Sequence, residues 1–363
     1  MGLPFNIFDI GSRTKSYLGV DIGTLSIKVV ELSNEDGRPK LENYASLVNY
    51  APTFDGLLQE NTGKIKKAFS EEAGLILRRL LKESGMRANE VNMSVPIFSS
   101  FMTVMELPQM SEMEVSKAIQ FEAKKYVPVP LESVMIDWSL ISGEMSAPGQ
   151  PGKILVLLVA IPKDLINEYS VIARNAGLKL LTIELETISA VRALIGNDPI
   201  PTILMDMGAR DTTISLVDGG HLRISHSIET SGEDLTRALA TGLNISWRRA
   251  EEIKKETGLK VMNENSQIAG IMAPLLESIA NPTQNIMDNN FSKTNKKVEK
   301  LMIYGGASKM PGFVEYLGDR LKIDVVAGNP FNKISYPEKL KPIISEVGHE
   351  FTVAAGLALK AFQ

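Results

Sequence analysis

The chain has 363 residues and a net charge of −4, which allows two lobes with separate cores and gives no electrostatic reason to expect nucleic-acid binding. It contains no cysteine and only three histidines, so disulfide bonds, thiolate metal sites and histidine-rich metal sites are not expected. A bound metal should be a hard cation held by oxygen atoms, and Mg²⁺ is the first choice.

The first segment, residues 1–16, carries apolar side chains followed by Arg13 and Lys15. Such a segment either touches an anionic membrane surface or packs as a leader on its own lobe, and the second interpretation is the simpler one for so short a stretch. It lacks the features of a secretory signal, and no apolar run approaches the roughly 20 residues needed to span a bilayer. The absence of cysteine is compatible with a reducing cytoplasm.

The segment VDIGTLSIKVVEL then predicts a strand, a tight turn and a second strand, because β-branched residues flank a Gly-Thr step. A helix is predicted from Ile65 to Glu83. Residues 91–159 form a separate small module with strands VNMSVPI, FMTVMEL and VMIDWSLI, and with a helix near Ser111 to Lys125 that begins in a capping box of Ser111 and Glu114.

A helix from Lys163 to Ala176, a strand and a further helix return toward the first lobe. The segment LMDMGARDTTISLV then repeats the earlier strand–turn–strand pattern: an apolar strand ends in Asp, and Gly, hydroxyl residues and another strand follow. The chain ends in a predicted helix from Phe351 to Phe362.

Each strand that ends in Asp-x-Gly could bind the phosphates of a nucleotide. The Asp carboxylate can hold hydrated Mg²⁺, and the turn can point several backbone N–H groups at an anion. The first turn would offer Gly23, Thr24, Leu25 and Ser26, with Lys28 behind them; the second would offer Gly208, Ala209 and Arg210, with the Thr212 hydroxyl nearby. A single turn of this kind is more often only structural.

Two more elements complete the pattern. Gly305 and Gly306 follow the strand KLMIY and would let the backbone approach a flat ring, or simply form a turn. Glu251 and Lys254 lie three residues apart on one helix face, where they either bind ribose hydroxyls or form a solvated pair.

The order of these elements resembles that of the actin-like ATPase superfamily over nearly the whole chain. Within it, the chain is similar to the PilM family of type IV pilus assembly proteins, which is related to the cell-division protein FtsA. The most specific segment is NMSVPIFSSFMTVMELPQMSEMEVSKAIQFEAKKYVPVPLE, with LVAIPKDLINEYSVIARNAGLKLLTIELETISAVRAL, SGEDLTRALA and AAGLALKAF in support.

The resemblance implies an α/β, actin-like two-lobe fold with duplicated βββαβα cores and an inserted FtsA-like 1C subdomain. The implied divisions are 1A (residues 1–89 and 166–200), the 1C-like insertion (90–165), 2A (201–232 and 298–349), 2B (233–297) and a C-terminal helix (350–363) that packs back on 1A.

ATP or ADP with Mg²⁺ would lie between the lobes. By the resemblance, Asp21 and Asp206 face the metal, Glu251 and Lys254 the ribose. The implied nucleotide contacts are Gly23, Thr24, Leu25, Ser26, Lys28, Gly208, Ala209, Arg210, Thr212, Gly232, Glu251, Lys254, Gly305, Gly306, Ser308 and Met310.

Hydrolysis is expected to be weak or slow at most, because the second turn has fewer glycines than many actin relatives carry. The candidate catalytic residues are Asp206 and Glu186. Glu186 would either orient a water molecule or place its negative charge at the start of the helix that follows.

The resemblance also implies partners. PilM-like proteins bind the short N-terminal tail of the membrane protein PilN in a groove between 1A and 1C. Methionines of the inserted module, such as Met102 and Met105, suit such a surface or simply fill its core. A peripheral place at the inner membrane through PilN, contacts with other pilus platform proteins and a homo-oligomer are further expectations.

Two alternatives stay open at this point. One is an FtsA-like cell-division protein that forms filaments. The other is a small-molecule kinase with the actin fold, for which the inserted module offers little beyond Glu132 and Asp137.

Overall fold

Two five-stranded sheets with the same strand order form the two halves of the molecule. The computed structural model describes residues 15–48, 63–143, 145, 152–260 and 267–363, and for residues 63–69 it describes the backbone alone. Residues 1–14, which make up most of the apolar first segment, lie outside the described residues. Within the described parts, no helix combines the length and the apolar character needed to cross a bilayer.

The strands of the two sheets are β1 (Ser16–Ile22), β2 (Ser26–Glu35), β3 (Arg38–Val48), β4 (Glu90–Val95), β8 (Lys179–Leu185), β9 (Thr202–Met207), β10 (Thr212–Asp218), β11 (His221–Ile228), β12 (Lys300–Tyr304) and β13 (Asp324–Ala327). The first sheet has the order β3-β2-β1-β4-β8, and the second has the order β11-β10-β9-β12-β13. In each sheet the first three strands in sequence are antiparallel neighbours, and two parallel strands follow. The predicted duplication is therefore present in the strand topology.

Helices cover both sheets. In the first lobe they are α1 (Gly63–Glu83), α3 (Lys163–Ala176), α4 (Glu186–Leu194), α9 (Lys341–Val347) and α10 (Thr352–Leu359); in the second they are α5 (Gly232–Leu243), α6 (Trp247–Glu256), α7 (Gln267–Thr294) and α8 (Phe313–Leu321). The predicted helix at 65–83 begins two residues earlier. The predicted C-terminal helix is α-helical only over α10, and its flanks are 3₁₀ turns.

Helix α10 packs directly on β1 and α4. All eight of its residues are buried, and its sequence TVAAGLAL consists mostly of small or aliphatic residues. A β-carbon at Gly19 of β1 would collide with the carbonyl oxygen of Ala354, so the two backbones can approach this closely only because glycine stands there. This contact joins the end of the chain to its first strand.

The inserted module is a three-stranded sheet, β5-β7-β6, with β5 (Phe101–Pro108), β6 (Val134–Ser142) and β7 (Lys153–Pro162). Helix α2 (Glu112–Glu122) covers one face, and the predicted capping box of Ser111 and Glu114 is confirmed. Along β7, Val156 and Leu158 pack toward α2, whereas Leu157 and Val159 join the core of the first lobe. Because both faces are buried, this strand has a nearly continuous apolar sequence. The subdomain boundaries stay a prediction.

Candidate functional site

The two Asp-x-Gly turns have the same geometry. The N–H of Gly23 donates to the carbonyl oxygen of Ser26 over 2.9 Å, and the N–H of Gly208 donates to that of Asp211 over 3.0 Å. Across the hairpins, Asp21 pairs with Lys28 and Asp206 pairs with Thr213 at the same spacing along the chain. The duplication of the strands thus extends to their connecting turns.

The two turns line one cavity of about 780 Å³ between the lobes. Most of the predicted site residues lie in its wall: Asp21, Gly23, Thr24, Leu25, Ser26, Lys28, Glu186, Asp206, Gly208, Ala209, Gly232, Glu251, Lys254, Gly305, Gly306 and Met310. The structure therefore brings together residues that are almost 290 positions apart in sequence.

Three predicted residues do not line this cavity. The Thr212 hydroxyl is buried and donates to the carbonyl oxygen of Thr230 over 2.7 Å, and the buried Ser308 hydroxyl donates to the carbonyl oxygen of Gly305 over 2.7 Å. The guanidinium of Arg210 lies 4.0 Å from the carboxylate of Glu233. The predicted nucleotide contacts of these three residues stay predictions, although the Thr212 and Ser308 hydroxyls already have backbone acceptors.

Two residues of the second turn that were not among the named nucleotide contacts, Asp211 and Thr213, also line the cavity. Asp211 accepts a 2.7 Å hydrogen bond from the Ser227 hydroxyl. An alignment of the two turns would have found Thr213, because it stands where the first turn has Lys28.

Carboxylates crowd the inner end of the cavity. Burial, followed by repulsion from Asp211 and Asp21, raises the pKa of Asp206 to about 8, although Lys28 opposes the shift. Burial, then Asp206 and Asp21, raises the pKa of Glu186 well above its usual value. Burial also raises the pKa of Asp21 against the effects of Lys28 and of a 3.1 Å hydrogen bond from Ser94.

Buried carboxyl groups whose ionised form is disfavoured in this way suit a divalent cation, which would stabilise that ionised form. In the described residues, no three carboxylate or imidazole side chains converge to hold a metal ion by themselves. Mg²⁺ at a nucleotide site needs only one or two carboxylates, because phosphates and water complete its octahedron. Asp21 and Asp206 meet that smaller requirement.

The N-terminus of α5 abuts the second turn. The N–H of Gly232 donates to the carbonyl oxygen of Gly208 over 3.0 Å, and that of Glu233 donates to the carbonyl oxygen of Ala209 over 2.9 Å. The positive end of the helix dipole therefore lies beside the turn, where it favours an anion.

Lys254 of α6 holds the N-terminal end of α5 in place through hydrogen bonds. Its ammonium group lies 2.8 Å from the carbonyl oxygen of Gly232, 2.7 Å from the Thr236 hydroxyl and 2.7 Å from a carboxylate oxygen of Glu251. An ammonium group has three donors, and these contacts use all of them. Lys254 thus positions α5 and Glu251, and a ribose hydroxyl would have to displace one of its present partners.

Position 305 requires glycine because of its backbone conformation and its close neighbours. Its φ of +92° belongs to the region that favours glycine, and a β-carbon there would collide with the Asp206 carboxylate. At Gly306, in contrast, a β-carbon would meet open space. The first glycine is required by the backbone, and the second keeps the cavity open.

A sequence model of the family described as "Type IV pilus assembly protein PilM" matches residues 19–362. The chain belongs to this PilM family. Among solved structures, a chain of the "PilM-PilN type IV pilus biogenesis complex" superposes with a TM-score of 0.80 at 24% identity and covers 96% of this chain and 98% of that one.

Relatives outside the PilM family agree with the predicted fold. EutJ, an ethanolamine utilization protein from Carboxydothermus hydrogenoformans, has a TM-score of 0.55 at 18% identity, covering 95% of this chain and 89% of its own. MreB 5 of Spiroplasma citri bound to AMPPNP has a TM-score of 0.53 at 12% identity, covering 97% of each chain. The predicted actin-like α/β fold is confirmed.

The cell division protein FtsA of Bacillus subtilis (strain 168) is 25% identical over 276 residues, which are 70% of this chain and 61% of that protein. The PilM-family chain thus spans less than two thirds of this relative. The predicted relation to FtsA is confirmed at the level of sequence similarity.

The PilM-family chain has a second, smaller cavity of about 250 Å³, which we call the junction pocket. It lies where the first lobe, the inserted sheet and the second lobe meet, and it is lined by Ile97, Phe98, Ser100, Phe101, Met102, Thr103, Tyr126, Val127, Leu158, Ser225, His226 and Ser227. Phe98 lines both this pocket and the larger cavity.

Proposed function

We propose that this protein is an ATP-binding scaffold of the type IV pilus machinery, in which bound nucleotide sets the arrangement of the two lobes. The observation that carries the proposal is the pair of equivalent Asp-x-Gly turns that line one cavity beside the N-terminus of α5. The nucleotide-bound MreB 5 structure, which has the same fold, supports adenine nucleotide as the ligand.

In this proposal, Asp21 and Asp206 hold Mg²⁺, and the backbone of residues 23–26 and 208–209 contacts the phosphates. The metal supplies positive charge that offsets the repulsion between ligand phosphates and the buried carboxylates. Lys28 contributes a second positive charge to the same end. Glu251 faces the ribose, with Lys254 holding it in place, and Gly305, Gly306 and Met310 border the base.

Bound nucleotide acts on conformation through its different affinity for the open and closed arrangements of the lobes. At about a thousand times its dissociation constant, ATP would stabilise the bound arrangement by about 4 kcal/mol. Such a scaffold requires little turnover, and we assign it weak or slow hydrolysis at most, with Glu186 as the candidate for orienting water.

The partner in this proposal is the N-terminal cytoplasmic tail of a PilN-type membrane protein. It is supported by the solved structure of a PilM-PilN complex, one chain of which has the same fold as this protein. Binding of that tail would place the protein at the periphery of the inner membrane. Contacts with other platform proteins and self-association are further parts of the proposal.

Calorimetry with ATP and Mg²⁺ tests the proposal. We expect micromolar or tighter binding by the wild type and a loss of at least about tenfold for Asp21→Asn, because the metal loses a ligand. Thr212→Ser, whose hydroxyl lies outside the cavity, serves as the matched control. Absence of adenine-nucleotide binding by the folded wild type would refute the proposal.

A second candidate, an FtsA-like filament-forming protein, is favoured by the sequence similarity to FtsA. Sedimentation with ATP and Mg²⁺ separates the two, because only the filament former pellets in proportion to nucleotide occupancy.

A further inference from the structure

Ser94 of β4 donates a hydrogen bond to the carboxylate of Asp21. The serine hydroxyl lies 3.1 Å from Oδ1 of Asp21, and Ser94 is only 2% exposed. Among the residues that the structure describes, no second group donates a hydrogen bond to this carboxylate. Ser94 is not part of the cavity wall, so its effect on a bound ligand must pass through Asp21.

The second lobe has a different residue at the equivalent position. Continuing the parallel register of β1 with β4 by one residue pairs Asp21 with Ser94. Strands β9 and β12 of the second lobe pair in the same way, and there Asp206 is paired with Tyr304. A serine hydroxyl is attached directly to the β-carbon and can reach a carboxylate on the adjacent strand, whereas a tyrosine hydroxyl stands at the far end of a ring.

The two aspartates therefore differ in how their side chains are held. Across the hairpins, Asp21 is paired with Lys28 and Asp206 with a threonine. The hydroxyl of that threonine, Thr213, donates to Asp211 over 3.4 Å. Across the described ranges of the chain, no N–H or O–H group donates to the Asp206 carboxylate. The turns match in backbone geometry, but the first one alone holds its aspartate by a hydroxyl group from the neighbouring strand.

A carboxylate whose orientation is fixed is a better metal ligand than one that rotates freely. The hydrogen bond from Ser94 restricts rotation of the Asp21 side chain and leaves Oδ2 for a cation. Strands β1 and β4 are interior strands of the first sheet, so the backbone that carries both residues is also held in place. Groups that orient metal ligands in this way contribute about ten- to a hundredfold to metal affinity.

We propose that Ser94 is a positioning residue of the metal site, which holds Asp21 in the orientation that binds Mg²⁺. The first lobe then supplies the preformed metal ligand of the cavity. The inference rests on the proposed function, because it takes nucleotide-bound Mg²⁺ as the ligand. It adds a residue behind the cavity wall and a difference between two turns that are otherwise equivalent.

Calorimetry of ATP binding with Mg²⁺, and again with EDTA in place of Mg²⁺, tests this role. We expect Ser94→Ala to weaken ATP binding by about tenfold with Mg²⁺ and by less than about twofold with EDTA, because only the metal depends on the orientation of Asp21. Ser94→Thr keeps the hydroxyl and should remain within about threefold of the wild type. The matched control is Ser33→Ala, which removes a buried hydroxyl that donates to Glu42 over 2.7 Å outside the cavity and should change neither affinity.

Equal losses with Mg²⁺ and with EDTA would show that Ser94 supports only the fold, and this result would overturn the inference. Wild-type affinity of Ser94→Ala for ATP with Mg²⁺ would overturn it as well, while leaving the proposed function intact. If Ser94→Ala does not fold, Ser94→Cys gives the same comparison, because it keeps the size of the side chain but donates only weakly. If the wild type binds no ATP in either condition, the proposed function fails and the role of Ser94 fails with it.

Discussion

The backbone N–H of Ile97 donates a hydrogen bond to the side-chain carboxylate of Glu186 over 3.3 Å. This bond ties the segment that leads into the inserted sheet to the first residue of α4, at the cavity end where Asp21 and Asp206 also lie. The carboxylate therefore has two separable properties: it accepts a hydrogen bond, and it adds negative charge to a crowded site.

Glu186→Gln separates these properties, because the amide oxygen still accepts from Ile97 while the charge disappears. We expect the variant to be at least as stable as the wild type at pH 8, since it relieves repulsion among buried carboxylates. Glu186→Ala should cost about 1–3 kcal/mol, because it leaves a partly buried N–H without its acceptor. Chemical denaturation measures both, and single-turnover assays add the expected loss of any hydrolysis in each variant. Full hydrolysis by Glu186→Gln would exclude a role for the charge.

The pKa of Asp206, raised to about 8, predicts a proton-linked metal site. The folded protein keeps a proton that the unfolded chain releases near pH 4, so this group stabilises the metal-free fold at low pH and loses that contribution as the pH rises through 8. Mg²⁺ with ATP must displace the same proton, so their affinity should increase from pH 6.5 to 8.5.

Calorimetry in buffers of different ionisation enthalpy should detect proton release on binding near pH 7. Asp206→Asn should abolish the release and raise the free energy of unfolding of the metal-free protein. Proton release of the same size in this variant would contradict the assignment to Asp206.

The burial of His349 predicts that the protein loses stability in acid. His349 is 4% exposed, its Nε2 has no hydrogen-bond partner, and burial together with Lys309 and Lys28 lowers its pKa to about 4. His349 binds a proton near pH 6.5 in the unfolded chain but only near pH 4 in the folded protein. The contribution of neutral His349 to the free energy of unfolding is therefore fully present above pH 6.5 and decreases as the pH falls toward 4. The decrease has an upper bound of about 3.5 kcal/mol, at roughly 1.4 kcal/mol per pH unit between 6.5 and about 4.

Denaturation at pH 7.0 and pH 5.0 measures this decrease. His349→Leu should show a smaller decrease than the wild type, whereas a change at the exposed His226 should leave it unaltered. Parallel pH profiles for the wild type and His349→Leu would argue against the prediction.

Gly305 and Gly306 both line the cavity, so the same substitution at the two positions can be compared directly. Gly305→Ala forces an alanine into a φ of +92° and drives its β-carbon into Asp206, so we expect a loss of about 2–4 kcal/mol and of nucleotide binding. Gly306→Ala meets open space and should change the free energy of unfolding by less than about 1 kcal/mol. Urea denaturation of the two variants side by side checks the difference, and similar losses would show that the local geometry is misassigned.

Much of the site could be predicted from residues that lie close together in sequence. Contacts between residues that are far apart in sequence could not be predicted in this way. The two Asp-x-Gly turns and the capping box at Ser111 depend on residues a few positions apart, which the sequence displays directly. The sequence does not show which of Thr212 and Thr213 faces the cavity, because the face of each side chain depends on the strand register. The pairing of β10 with β9 places Thr213 opposite Asp206. The junction pocket joins residues near 101 with residues near 226, and no local pattern reports such a contact.

The packing of α10 against β1 has a consequence for synthesis of the chain on the ribosome. Strand β1 is synthesised early, but the helix that covers one of its faces comes only with residues 352–359. The first lobe therefore cannot close its core before residue 359 has been synthesised, whereas the second-lobe sheet has all of its strands once residue 327 has emerged. The second lobe can therefore reach its native packing before the first lobe, although the first lobe begins earlier in sequence.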